Sequence, residues 1–181
     1  MNEQEFETII KDKSKELHVT KSALIDTFFF EEFLKLLTKS KYHRSFIFKG
    51  GFLLQSIVGV SMRSTLDLDF LFVKGKVPNE KRVKEIINNV CSIKGDCSFS
   101  FFDVSPIKER DNKPGLRVRI GGKLGHFKRV FGVDIASGDV ITPQPIQYYY
   151  RSLLTNQSLN ILSYNKETVL AEKFVTIFEK D

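Results

Sequence analysis

The sequence is short of the residues that mark the commonest scaffolds and cofactor sites. Only two cysteines occur in 181 residues, Cys91 and Cys97, and their spacing forms neither a disulfide framework nor a zinc motif. They read as reduced thiols in a cytoplasmic chain. Histidine is nearly as scarce, and the three present, His18, His43 and His126, are scattered and make no HExxH pair. A Walker A lysine loop, a protein-kinase signature and a GxSxG elbow are also missing, which removes those routes to catalysis. No apolar run approaches the roughly 20 residues needed to span a bilayer. The opening MNEQEFETII is acidic and has no apolar signal core. Internal repeats and low-complexity tracts are absent.

What is present suits one folded unit. A chain of 181 residues is long enough to bury a substantial core. It is rich in phenylalanine, with 17. The net charge of +6, from 28 basic and 22 acidic residues, permits a phosphate-bearing or nucleic-acid ligand without requiring one.

The stretch from Phe46 to Val73 organises the rest. Ser45 to Lys49 predicts a short buried strand, Gly50 and Gly51 a tight turn, and Phe52 to Val58 a short helix. Backbone N–H groups at the start of such a helix suit a phosphate, although a glycine pair can equally serve the turn alone. Arg63, Ser64 and Thr65 stand at the entrance to a second strand that carries Asp67 and Asp69. Residues two apart on a strand face the same way, so both carboxylates share one side, with Leu66, Leu68, Phe70 and Phe72 on the other. Two like charges so close repel unless a cation sits between them, which makes a divalent-metal site the leading reading of the pair.

Before this stretch, residues 3–17 and 21–39 read as two amphipathic helices, the second capped by Thr20 and carrying Leu24, Phe28, Phe29, Phe33, Leu36 and Leu37 as its apolar stripe. They form an N-terminal helical leader, residues 1–40, packed on a domain spanning 41–181.

After it, Pro78 to Val90 is predicted as an amphipathic helix. Ser98–Val104, Leu116–Ile120 and Phe127–Ala136 are predicted as strands, the last two joined through Gly121, Gly122 and Gly125. Lys123, His126, Lys128 and Arg129 give that hairpin a basic tip, read either as a solvated turn or as an RNA or acidic-partner contact. Arg117 and Arg119 share a strand face. Asp134 lies on the strand face opposite Phe131, Val133 and Ile135, and an acid amid apolar residues must be solvated, paired or ligating. It is therefore a third candidate carboxylate, whereas Asp139 reads as a turn residue. Tyr148–Tyr150 and Asn160–Ser163 suggest further short strands. A last helix, KETVLAEKFVTIFEK, is expected to bury Leu170, Phe174 and Ile177. Lys173 beside that stripe would snorkel or meet an anion.

A glycine-led helix, two carboxylates two apart on the following strand and a third on a later strand match the design that holds two divalent metals about 3.5–4 Å apart for in-line phosphoryl chemistry. At this point the chain resembles the nucleotidyltransferase superfamily. More closely it is similar to the AbiEii/AbiGii toxin family, over about residues 40 to 180. The resemblance rests on Lys49-Gly50-Gly51, Arg63 with Thr65, Asp67 and Asp69, then Asp134, then Glu167 followed by Ala171-Glu172-Lys173. It implies an α/β (α+β) fold with a nucleotidyltransferase-like mixed sheet flanked by helices. It also implies transfer of a nucleoside monophosphate from a nucleoside triphosphate to an RNA acceptor such as tRNA, or to a protein. The protein would be the toxin of a bacterial toxin–antitoxin or abortive phage-infection system, restrained by a cognate antitoxin.

Carried over residue by residue, Asp67, Asp69 and Asp134 would ligate one or two Mg²⁺ ions, and Asp134 would lie nearest the acceptor hydroxyl. Lys49, Gly50, Gly51, Arg63, Ser64 and Thr65 would line the triphosphate, and Lys173 would contact its phosphates as a catalytic cation. A further basic-Asp-x-x-Asp element of the family's C-terminal helical region does not follow here, which would make this chain a fragment or a truncated member. The alternative function is accordingly an inactive nucleotide-binding module that works through protein or RNA contacts.

Overall fold

The computed structural model describes residues 1–59, 65–73, 79–108, 114–138 and 141–178. Their elements run α1 (Glu3–Leu17), α2 (Lys21–Lys39), β1 (Phe46–Lys49), α3 (Gly50–Val58), β2 (Asp67–Phe72), α4 (Glu80–Cys91), β3 (Ser98–Lys108), β4 (Pro114–Leu124), β5 (Phe127–Ala136), β6 (Ile146–Arg151), β7 (Ser158–Ser163) and α5 (Lys166–Phe178). The strands form one seven-stranded mixed sheet in the order β3-β4-β5-β2-β1-β7-β6. β2 runs parallel to β5, and β1 parallel to β7. The β1–β2, β3–β4, β4–β5 and β6–β7 pairs are antiparallel. This is the expected mixed α/β sheet with helices about it.

Local chemistry sets the helix ends. Asn2 and Glu5 form a reciprocal capping box at the start of α1. His18 closes that helix in the left-handed conformation, with φ 54°. The Thr20 hydroxyl accepts from the Ala23 N–H at 3.2 Å and opens α2. α4 begins two residues later than Pro78, because the Asn79 side chain accepts from the Arg82 N–H and caps it there.

α2 is buried along most of its length and belongs to the same hydrophobic cluster as the sheet. Phenylalanines carry the contact. Phe30 and Phe33 of α2 meet Phe131 of β5 edge-on, and Phe33 also meets Phe99 of β3. Phe6 of α1 stacks on Phe28 and meets Phe127. Tilted and edge-to-face pairs of this kind add about 0.5–1.5 kcal/mol each beyond area burial.

The β4–β5 hairpin departs from the sequence reading. Gly121 and Gly122 are strand residues, and the turn falls at Gly125 and His126. The reason is steric. A Cβ at Gly122 would come within 2.4 Å of the Phe29 ring, and one at Gly121 within 2.6 Å of the Phe102 ring. These glycines admit aromatic rings onto the sheet. The basic tip is also occupied from within the fold: His126 pairs with Glu3, and Arg129 donates to Asp26 at 2.6 Å and to the Ser22 hydroxyl at 3.1 Å.

Two apolar expectations are corrected. Leu66 precedes β2 and is 71 % exposed, because the alternation starts only where the strand does. On α5 the predicted stripe faces outward: Leu170 and Phe174 are 53 % and 59 % exposed, while Thr168 and Val169 are buried. At about 100° per residue, turning Val169 and Lys173 towards the fold carries Leu170 and Phe174 round to solvent. The side chain of Ile177 and the whole of Asp139 lie outside the described residues. Cys91 and Cys97 are free thiols. Burial pushes Cys91 up to about 12 and raises Cys97 as well, so neither is a ready nucleophile.

One buried acid ties α2 to the strand pair at the other end of the sheet. The Glu31 carboxylate, 5 % exposed, accepts from the Tyr150 hydroxyl at 2.9 Å, the Ser152 hydroxyl at 2.6 Å and the Leu153 N–H at 2.7 Å. Burial outweighs those donors and raises its pKa from 4.5 to about 7. The folded chain therefore holds this proton more tightly than the unfolded chain. Stability is lost from this group as pH climbs from about 4.5 to 7, and the loss is complete above 7. In Glu31→Gln the amide oxygen can keep Tyr150 and Leu153 while its NH₂ donates to Ser152. Thermal melts from pH 5 to pH 8 should show a shallower fall in Tm for Glu31→Gln than for the parent chain; parallel curves would mean that Glu31 does not titrate there.

Candidate active site

The sheet register builds the site. Lys49 on β1 lies opposite Asp69 on β2. Asp69 in turn lies beside Asp134 on β5, and Asp134 opposite Arg117 on β4. Residues level with one another on adjacent strands project to the same face. Four side chains therefore cross the sheet in one row, in the order cation, carboxylate, carboxylate, cation. A second row lies one strand step away: Asp67, Gly132, Arg119 and Asp103. The three candidate carboxylates thus share one face of two adjacent strands.

Each is held differently. Asp69 sits deepest and accepts from the Gly51 backbone N–H. Burial first, then the charges of Asp134 and Asp67, raise its pKa from 3.8 to about 6, while Lys49 and Gly51 oppose the rise. Asp134 takes a two-point fork from Arg117, with Nε on Oδ1 and Nη2 on Oδ2, both at 2.7 Å. The same Nη2 reaches Asp67 Oδ2 at 3.2 Å. Asp67 Oδ1 accepts from the Gly132 N–H at 3.2 Å. The bond to Asp134 is the main reason that the pKa of Arg117 is raised above its ordinary value.

Two glycines make room for the acids. A Cβ on Gly50 would lie 2.0 Å from Asp69 Oδ2 and 2.6 Å from its Cβ, and Gly50 has φ +74°. A Cβ on Gly132 would lie 2.4 Å from Asp67 Oδ1. Gly50 and Gly51 are also the first residues of α3, so backbone N–H groups of its first turn stand beside Asp69. Thr65 closes over them: a Cβ on Gly51 would come 2.9 Å from its Oγ1, and its hydroxyl donates to the Asp67 carbonyl at 3.4 Å.

A cleft of about 240 Å³ opens over this corner, lined by Lys49, Gly50, Gly51, Asp69, Val169, Glu172 and Lys173. Lys49 bridges to Glu172 at 2.8 Å and lies over the Tyr164 ring, which binds α5 to the end of β1. Lys173, one helical turn beyond Val169, faces the cleft. Glu167 and Ala171 of the same helix are exposed. A second cleft, about 310 Å³, lies on the other side of Asp67, with Arg117, Arg119, Arg129 and Gly132 among its walls. Of the residues singled out in the sequence, Lys49, Gly50, Gly51, Thr65, Asp67, Asp69, Asp134 and Lys173 are brought to this corner. Arg63 and Ser64 lie outside the described residues. Arg117 and Gly132 were not singled out as site residues, although LRVRI facing the Asp134 strand in a hairpin was a usable signal for Arg117.

The donor set suits a hard divalent cation: three carboxylates on one face, all oxygen, with Asp69 raised by burial and then by the charge of the other two. A cation of another kind, the Arg117 guanidinium, already stands between Asp67 and Asp134. Among the described residues, no group of three or more His, Cys, Asp or Glu side chains is gathered closely enough to hold a metal ion as it stands.

Comparison with known proteins bears on this geometry. Residues 32–181 match the family described as nucleotidyl transferase AbiEii toxin, type IV toxin–antitoxin system. Two solved structures are similar in fold. A candidate nucleotidyltransferase from H. pylori aligns with a TM-score of 0.51 and 18% identity over 86% of this chain and 59% of its own length. JHP933 from Helicobacter pylori aligns with a TM-score of 0.50 and 17% identity over 85% of this chain and 56% of its own. The chain therefore spans less than two thirds of either. No curated protein matches it in sequence.

The close approach at Gly50 gives a direct test of the packing. Gly50→Ala must move Asp69 or the α3 start and also strains a positive φ. It should cost about 2–3 kcal/mol in urea unfolding; a loss below about 0.5 kcal/mol would mean that the glycine is not needed there.

Proposed function

From the premise that the chain belongs to the AbiEii nucleotidyl transferase toxin family, we propose that this corner of the sheet transfers a nucleoside monophosphate from a nucleoside triphosphate to an RNA acceptor, tRNA included. The observation that carries the reading is the row of Asp69 and Asp134 in adjacent register, with Asp67 one step away, beside a glycine-led helix and a cleft walled by Lys173. Asp67, Asp69 and Asp134 would hold Mg²⁺, as one ion or two, which when bound offsets the triphosphate charge and favours an ionised acceptor hydroxyl.

The chain's own groups have distinct tasks. The N–H groups at the start of α3 and the ammonium of Lys173 face the cleft and would cradle the phosphates. Lys49 lies level with Asp69 and adds positive charge at the same wall. Thr65 offers a hydroxyl at the rim; the part given to Arg63 and Ser64 beside the triphosphate rests on the sequence resemblance. Asp134, on the far side of Asp69 from this cleft, would take the acceptor side. There an acceptor hydroxyl oxygen would form its bond to the α-phosphorus, the bond to the leaving pyrophosphate would break, and the hydroxyl proton would pass to a carboxylate or to water.

In this reading the protein is the toxin of a bacterial toxin–antitoxin or phage-defence system, controlled by an antitoxin and acting in the cytoplasm. No helix among the described residues is long and apolar enough to cross a membrane. A second reading, a nucleotide-binding module without transfer, is favoured by the guanidinium lying across Asp67 and Asp134. The two separate in one experiment, in which the chain is incubated with each α-labelled nucleoside triphosphate, total RNA and bulk protein. Label should enter RNA with Mg²⁺, be abolished by EDTA, and fall at least about a hundredfold in Asp67→Asn. Nucleotide binding with no label transferred would favour the second reading, and label entering protein alone would overturn the RNA acceptor.

A further inference from the structure

We propose that Arg117 is a built-in counter-cation that stands in for the metal between Asp67 and Asp134, and that it must leave those oxygens before the site can load. This rests on the nucleotidyltransferase reading above and adds a positioning residue to it. A fork to Asp134 at 2.7 Å through two nitrogens, extended to Asp67 at 3.2 Å, commits three carboxylate oxygens to one guanidinium. Those are oxygens a divalent ion would need. An Arg–carboxylate fork is among the stronger charge-assisted contacts a protein makes. The sheet itself aims it, because Arg117 is the in-register partner of Asp134.

The arrangement has the features of a contact made to be broken. The Arg117 side chain is 45 % exposed and Asp67 is 36 % exposed, so release needs no unfolding. The cleft beside Arg117, about 310 Å³, can receive the displaced guanidinium. Arg119, one strand step away, shows the contrast: both its Nε and its Nη2 donate to Asp103 rather than to the three carboxylates. The pairing also explains how three acids can share a strand pair without a metal. The guanidinium offsets the repulsion between Asp67 and Asp134.

The consequence is a site whose affinity for a free divalent ion is held down by its own arginine. Removing the guanidinium charge should tighten metal binding in the absence of nucleotide. The measurement is Mn²⁺ binding by electron paramagnetic resonance and by calorimetry, without nucleoside triphosphate, on the parent chain, Arg117→Gln, Arg117→Ala and Arg119→Gln. Circular dichroism confirms that each variant is folded. Arg117→Gln and Arg117→Ala should bind Mn²⁺ about tenfold or more tightly than the parent, and Arg119→Gln should match the parent. A second readout is thermal: without metal the Arg117 variants should melt lower than the parent, and saturating Mn²⁺ should raise their Tm by more than it raises the parent's. Equal or weaker binding in both Arg117 variants would overturn the role of Arg117 while leaving the transferase reading intact. If neither the parent nor the Arg117 variants bind Mn²⁺ at millimolar concentrations, the metal-site reading fails and this inference fails with it.

Discussion

Charge balance across one transverse row of the sheet governs the functional half of this molecule. Lys49, Asp69, Asp134 and Arg117 stand level on four adjacent strands. Two acids at the centre repel, and two cations at the ends offset them. Neither acid could be buried alone at acceptable cost, and Asp69 bears this out, lifted to about 6 by burial and by its neighbours. The row is stable only if β1, β2, β5 and β4 are adjacent and in this register. A slip of one residue in any pair would turn a charge into the core and leave its partner unmatched.

The opposite side of the sheet makes that register costly to lose. Leu68 and Phe70 of β2, Phe131, Val133 and Ile135 of β5, and Val118 and Ile120 of β4 are all buried. α2 lays Phe29, Phe30 and Phe33 against this surface, and Gly122 admits the Phe29 ring where helix and sheet come closest. The same device appears on the functional face, where Gly50 and Gly132 leave space for carboxylates in place of rings. Glycine here is a spacing element on both faces of one sheet, and each case is decided by what approaches its missing side chain.

Much of this was legible in the chain. Alternation placed Asp67 and Asp69 on one face and Asp134 opposite Phe131, Val133 and Ile135, because a strand turns each side chain by half a revolution. Apolar spacing marked α1 and, within two residues, α4, and Thr20 marked the start of α2. The misreadings share a cause. Gly121 and Gly122 look like a turn when only their backbone freedom is considered, yet they are strand residues selected by the Phe102 and Phe29 rings packed above them. Leu170 and Phe174 look like a core stripe because they are apolar at helical spacing. The helix is instead rotated to present Val169, Glu172 and Lys173 to the cleft, with Lys49–Glu172 as its tie to β1.

Local sequence determined which residues alternate, where helices start, and that three aspartates occupy strand positions whose other face is apolar. Those properties depend on neighbours a few positions away. Only the tertiary structure decided that β5 lies parallel and adjacent to β2, so that Asp134 stands beside Asp69, 65 positions away in sequence. It also decided that the β4 hairpin swings Arg117 across both Asp134 and Asp67. Strand order is set by which apolar faces can be covered together, a property of the whole chain, and so the partner of each carboxylate could not be read from its own surroundings.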